Sequence, residues 1–175
     1  MKSLLDAVQR DVQGDYVRAA DYYEQLIQAG GASLEAYLNL AVLYWQCTEY
    51  GFNASHKLDI EFIHKSGERY QVLLQEAGQR FPNRPEIKFW VLYCDYITLG
   101  EPPFVEECKL LVDAPDQTLV PYFYLYSASR GGKYETEAHV LLEECLKHQT
   151  VKNKYIASVI KSVAATYLRI SNPGF

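Results

Sequence analysis

The chain has 175 residues, 49% of them hydrophobic and 22% charged, the balance of an ordinary globular protein with length for one domain or one short solenoid. Its net charge of −5 and pI near 5.4, with no run of Lys and Arg, argue against a phosphate backbone as the main partner, because nucleic-acid affinity rests on clustered cations. No window approaches the roughly 18 apolar residues of a membrane span, and the N-terminus turns charged within six residues, so neither a membrane anchor nor a signal peptide is expected.

Residues 2–13 are expected to form a first helix, with Leu5, Val8 and Val12 facing inward and Ala7 at a crossing. Gly14 ends it, as a glycine past a helix C-terminus does. A second helix covers 15–29, with Ala19, Tyr23 and Leu26 on one face, and Gly30-Gly31 closes it. Ser33 caps a third helix running to Gln46. There Tyr37, Leu40, Ala41 and Tyr44 place three large residues and one small one on a single face, and Ala41 admits a close neighbour. Thr48 to Leu58, which holds Gly, Asn and Ser, reads as a loop. Beyond it Ile60, Ile63, Gly67, Tyr70, Leu74 and Ala77 make one face of a long amphipathic helix that ends at Phe81-Pro82. Gly67 in that helix costs about 1 kcal/mol relative to Ala and marks either a close crossing or a kink.

Pro85 opens the next helix, with Trp90, Tyr93, Cys94 and Ile97 inward and Gly100 at its end. A shorter helix starts at Glu101-Pro102-Pro103 and reaches about Val112, followed by a loop over 113–117. Residues 121–130 form an aromatic helix. Gly132-Lys133-Tyr134 then repeats the Gly14-Asp15-Tyr16 corner and leads into a helix carrying Ala138, Leu142 and Cys145. The last helix spans 152–170, with Tyr155, Val159, Ile160, Val163, Ala164 and Tyr167 apolar, Lys154, Lys161 and Arg169 outside, and a stop at 171–174.

Motifs for chemistry are sparse. Cys47, Cys94, Cys108 and Cys145 never form a Cys-x-x-Cys pair, so they read as reduced, small hydrophobes of a cytoplasmic protein. Cys145 and His148 lie three apart but lack two further ligands, and His56 and His64 read as surface residues, so no metal site is expected. Glu106-Glu107 and Glu143-Glu144 are neighbours that splay about 100° apart on a helix, and they read as solvated faces. No phosphate loop, nucleophile elbow or zinc-protease helix is present, and no catalytic residue or cofactor is assigned. Asn53-Ala54-Ser55 matches a glycosylation acceptor but is set aside for want of a secretory signal. The 15 Tyr read mainly as core and helix-junction residues whose hydroxyls reach water or a partner.

The large, small, large order of Ala19, Tyr23, Leu26 and of Tyr37, Leu40, Ala41, Tyr44, with the Gly14-Asp15-Tyr16 corner, resembles the tetratricopeptide repeat family, whose period is about 34 residues. The resemblance implies an all-α, antiparallel helix-pair superhelix. Its four repeats would cover about 2–31, 33–82 with an insertion at 48–58, 84–115 and 119–148, with a C-terminal capping helix over 152–170. Leu40 and Tyr93 hold similar places 53 residues apart, about 19 beyond the period, so a lengthened helix and its loop must protrude. The first helix of each repeat would line a concave groove with Leu4, Val8, Leu38, Val42, Trp45, Val91, Asp95, Phe123 and Ser127.

One branch of the family grips a peptide carboxylate with lysines, asparagines and an arginine. Asn39 and Lys88 match two of those positions, while Leu4, Val8 and Leu92 stand where charge or amide is required. The groove is therefore expected to be apolar and Tyr-rich, with Trp45 either its anchor or packed against the inserted loop. The implied function is protein recognition, as an adaptor or chaperone-like subunit that takes a peptide segment or helix of another protein. The alternatives are an all-helical enzyme, which needs a convergent titratable cluster, and an RNA-binding helical repeat, which needs a basic stripe.

Overall fold

The structure is a computed structural model that describes residues 3–171, with side chains through Tyr167. The expected helix start at residue 2, the outward placement of Arg169 and the stop at 172–174 lie outside what is described. Among the described residues there are ten α-helices and no strand: α1 Leu4–Val12, α2 Tyr16–Gln28, α3 Leu34–Thr48, α4 Tyr50–Ser55, α5 Ile60–Arg80, α6 Pro85–Leu99, α7 Val105–Val112, α8 Tyr122–Ala128, α9 Glu135–Lys147 and α10 Val151–Ser171. The all-α class is as expected. The helices fall into two compact units, one reaching Asn83 and taking in Gln149–Lys152, the other comprising Arg84–His148 and the chain from Asn153 onward.

In the first unit, a capping box starts α1: Ser3 Oγ accepts from the Asp6 amide, and the Asp6 carboxylate accepts from the Ser3 amide. The buried face of α1 is Ala7, Val8 and Asp11, whereas Leu5 is 72% exposed and Val12 also faces solvent. That corrects the expected inner face. At about 100° per residue, Ala7, Asp11 and Val8 share one arc and Leu5 and Val12 lie beyond it. Gly14, at φ +82°, turns the chain while its amide and that of Asp15 return to the carbonyls of Asp11 and Arg10. Because only three residues join α1 to α2 and the two helices pack on each other, they run antiparallel.

Helix α3 is the centre of this unit. Every residue from Ala36 to Cys47 is buried, and α2, α4 and α5 all pack on it, most extensively α5. The insertion is not a loop throughout: Tyr50–Ser55 form a helical turn and a half. Phe52 packs at a tilt on Tyr16 of α2 with ring centroids 5.2 Å apart, and His56 folds back to place Nδ1 2.8 Å from the Phe52 carbonyl. An aromatic anchor on another helix thus overrides the weak local preference of Gly51, Asn53 and Ser55. Helix α5 is continuous through Gly67, where an added Cβ would stand 3.7 Å from Thr48 Cγ2, so this glycine sits beside the end of α3. Its buried residues are Ser66, Tyr70, Leu73, Leu74 and Ala77, while Ile60, expected inside, is 61% exposed.

In the second unit, α6 opens on Pro85 and ends at Gly100, φ +70°. Trp90, Tyr93 and Cys94 are buried as expected, but Ile97 is exposed. Helix α7 starts at Val105 and not at 101, because Pro102-Pro103 precede Phe104, whose amide donates to the Tyr124 hydroxyl and whose ring stacks on that of Tyr124 at 4.3 Å. Phe89, Trp90, Tyr93, Phe104, Phe123 and Tyr124 build the core of this unit. Tyr93 and Tyr155 share a hydrogen bond of 2.7 Å between hydroxyls. The corner before α9 uses left-handed backbone at Arg130, Gly131 and Tyr134, not at Gly132. At Gly131 a Cβ would lie 3.1 Å from the Tyr167 Cβ, so the absence of a side chain lets α10 come close.

Candidate functional site

The residues assigned to the groove separate into two sets. Leu38, Asn39, Val42 and Trp45 are each 1% exposed, Phe123 is fully enclosed and Val8 is buried. Leu4, Val91, Asp95 and Ser127 are half-buried, and Lys88 is exposed. The folded chain therefore encloses the Trp45 ring instead of offering it as a surface anchor. The physical reason lies in α3, which is apolar on all sides and packed on several sides, so positions 38, 42 and 45 have no open face.

Asn39 is committed to an interior network. Its Nδ2 donates to the Tyr23 hydroxyl at 3.3 Å, and that hydroxyl donates to Asp11 Oδ2 at 3.4 Å. The other Asp11 oxygen accepts from the Val151 amide, the first residue of α10, at 2.7 Å. Asp11 is 0% exposed, so α1, α2, α3 and the start of α10 meet on a buried carboxylate. Burial, with the Asp11 charge beside it, pushes the Tyr23 hydroxyl well above the usual tyrosine range.

A second network joins α2, α3 and α5. Arg69 donates through Nε and Nη2 to both oxygens of Glu24, at 3.0 and 3.2 Å, and through Nη1 and Nη2 to both oxygens of Glu76, at 2.8 and 3.1 Å. The Tyr44 hydroxyl donates to Glu24 at 3.4 Å. Hydrogen bonding to Glu76, and then to Glu24, holds the Arg69 guanidinium protonated even more firmly than usual against the opposing effect of burial. Such a two-sided fork uses the planar donor set of Arg and places this cation in a structural role. Sequence reading missed Asp11, Glu24 and Arg69. The signal present was spacing: Asp11 follows Ala7 by four and Val8 by three, which puts a carboxylate on the apolar stripe.

Cys47, Cys94, Cys108 and Cys145 are all buried free thiols. Burial pushes Cys47 and Cys108 up to about 12, which makes them poor nucleophiles at neutral pH. Among the described residues no group of three His, Cys, Asp or Glu could hold a metal ion, and no helix is long and apolar enough to cross a membrane. No family model, curated protein or solved structure matches the chain.

Exposed large apolar side chains are spread along the chain, among them Leu5 and Leu110 at 72% and Leu99 at 62%. Tyr50, at 84%, is the most exposed large hydrophobic side chain among the described residues, and Ile60 is 61% exposed. Tyr50 lies within the inserted segment and Ile60 just past it, with Phe52, Leu58 and Ile63 half-buried between and beside them. The Tyr16, Phe52 and His56 rings pack against one another beneath it, with centroids 4.3 to 5.2 Å apart, and so form a filled cluster instead of an open cage. This region exposes a ring and a branched aliphatic on a scaffold held by α2, α3 and α5.

Proposed function

We propose that the chain is a non-catalytic protein-recognition module, a divergent helical-repeat protein of the tetratricopeptide kind that works as an adaptor or chaperone-like subunit. Its contact surface would run from Tyr50 in the inserted segment to Ile63 in the first turn of α5, and not through a groove around Trp45. The observation that carries this reading is the exposure of Tyr50, on an insertion that helix pairing itself does not require, and of Ile60, at the start of α5 just past it. Tyr supplies a large apolar face at low entropic cost, the property that enriches it among residues dominating protein interfaces. The antiparallel α1–α2 hairpin and the wholly buried α3 support a preformed scaffold, so binding would order few groups beyond the side chains in contact.

A partner helix or peptide segment that lays apolar side chains on Tyr50 and Ile60 is the occupant this chemistry suits. The test is a Tyr50→Ser, Ile60→Ser double variant, assayed for partner capture and for helix content together. Capture weakened about tenfold or more with helix content intact is the expected result. Undiminished capture would remove the insertion from the interface.

A further inference from the structure

We infer that Asp11 is a clasp: its buried carboxylate holds the first turn of α10 against α1 and α2, and loss of its charge releases residues 149–152 while α1 to α5 remain folded. The inference is independent of the recognition reading above. It rests first on a bond spanning nearly the whole sequence, from Asp11 Oδ1 to the Val151 amide at 2.7 Å. That amide is one of the donors a helix start leaves without an intrahelical partner. Here the cap comes from α1, 140 residues away in sequence. The 21-residue α10 directs the positive end of its dipole at the carboxylate, so charge and hydrogen bonding act together.

The clasp is built into the core on both sides. Asp11 is 0% exposed, Val151 2% and Thr150 1%. Around the carboxylate stand the Tyr16 and Tyr23 hydroxyls of α2, and Asn39 and the Cys47 thiol of α3, all neutral at physiological pH. Tyr23, held by Asn39, fixes the second oxygen and so sets the orientation of the first. Protonation, or replacement by an amide, removes the charge and converts one oxygen position into a donor that faces the amide of Val151 or the Tyr23 hydroxyl. Segment 149–152 belongs to the first unit although its chain neighbours on both sides do not. Opening the clasp therefore leaves that unit with its single continuous stretch ending at Asn83.

The test is hydrogen exchange on the full chain, comparing wild type, Asp11→Asn and Val151→Pro. Proline is tolerated at the first helical position and lacks the amide hydrogen, so it deletes the clasp bond from the other side with little cost to the helix. Both variants are expected to exchange the amides of residues 152–156 about tenfold faster or more than wild type, with Leu40 to Tyr44 unchanged. Wild-type protection at 152–156 in Val151→Pro would overturn the inference, and so would loss of protection at Leu40 to Tyr44 in Asp11→Asn.

Discussion

Replacing Trp45 by Ala separates a core residue from a binding anchor. The side chain is 1% exposed on a helix buried from Ala36 to Cys47. A buried Trp removes about 200 Å² from water, and at about 25 cal/mol per Å² its loss forfeits about 5 kcal/mol less the small share that the Ala methyl keeps, consistent with the about 3–5 kcal/mol typical of Trp→Ala in cores. Against a total stability of about 5–15 kcal/mol for a domain, that lowers Tm by roughly 10 °C in a chain of this size. Urea unfolding followed by circular dichroism at 222 nm gives the free energy directly, with Tyr50→Ala as the exposed control, expected to change stability by no more than about 0.5 kcal/mol. A Trp45→Ala protein melting within about 2 °C of wild type would refute the assignment of this ring to the core and return it to the groove.

Two further outcomes follow from the backbone and the thiols. Gly131→Ala should destabilise by about 2–4 kcal/mol, from left-handed strain and from a Cβ pressed on Tyr167; Gly30→Ala, at φ +78° with nothing within 4 Å, should cost only the strain, about 1–2 kcal/mol. Equal losses in the two would show that α10 does not press on Gly131. The second outcome concerns alkaline pH. Folded Cys47 and Cys108 ionise near 12 against an ordinary 9.0, so below pH 9 both states keep their protons and stability is unaffected. Above pH 9 the unfolded chain loses thiol protons first, and stability falls by about 1 kcal/mol per buried thiol by pH 10. The urea midpoint should drop between pH 8 and pH 10, and a constant midpoint would contradict the burial of these thiols.

The parts of the fold legible in the sequence are those set by local chemistry. Gly14, Ser33, Pro85 and Gly100 mark helix ends through their own backbone preferences, and all four do so in the structure. What escaped depends on distant partners. Helix α4 exists because Phe52 reaches Tyr16, 36 positions earlier, which no window over Thr48 to Leu58 contains. The inward face of α1 turns on Asp11, a residue that apolar counting rejects and that Tyr23 and Val151 satisfy. The burial of Trp45 and its α3 neighbours has a reason present in the sequence: Tyr37, Leu38, Leu40, Val42, Leu43, Tyr44 and Trp45 surround α3, and a helix apolar all round is a buried one. Fitting α3 to one face left its remaining apolar positions free for a site that the fold uses as core.

The most direct test of the recognition reading is site-specific photocross-linking in cells. A photoreactive phenylalanine at position 50 is compared with one at Val140, a position 44% exposed on α9. The account predicts a discrete adduct with another protein from position 50, abolished by Ile60→Ser, and no such adduct from position 140. No adduct at position 50, or the same adducts from both positions, would contradict it.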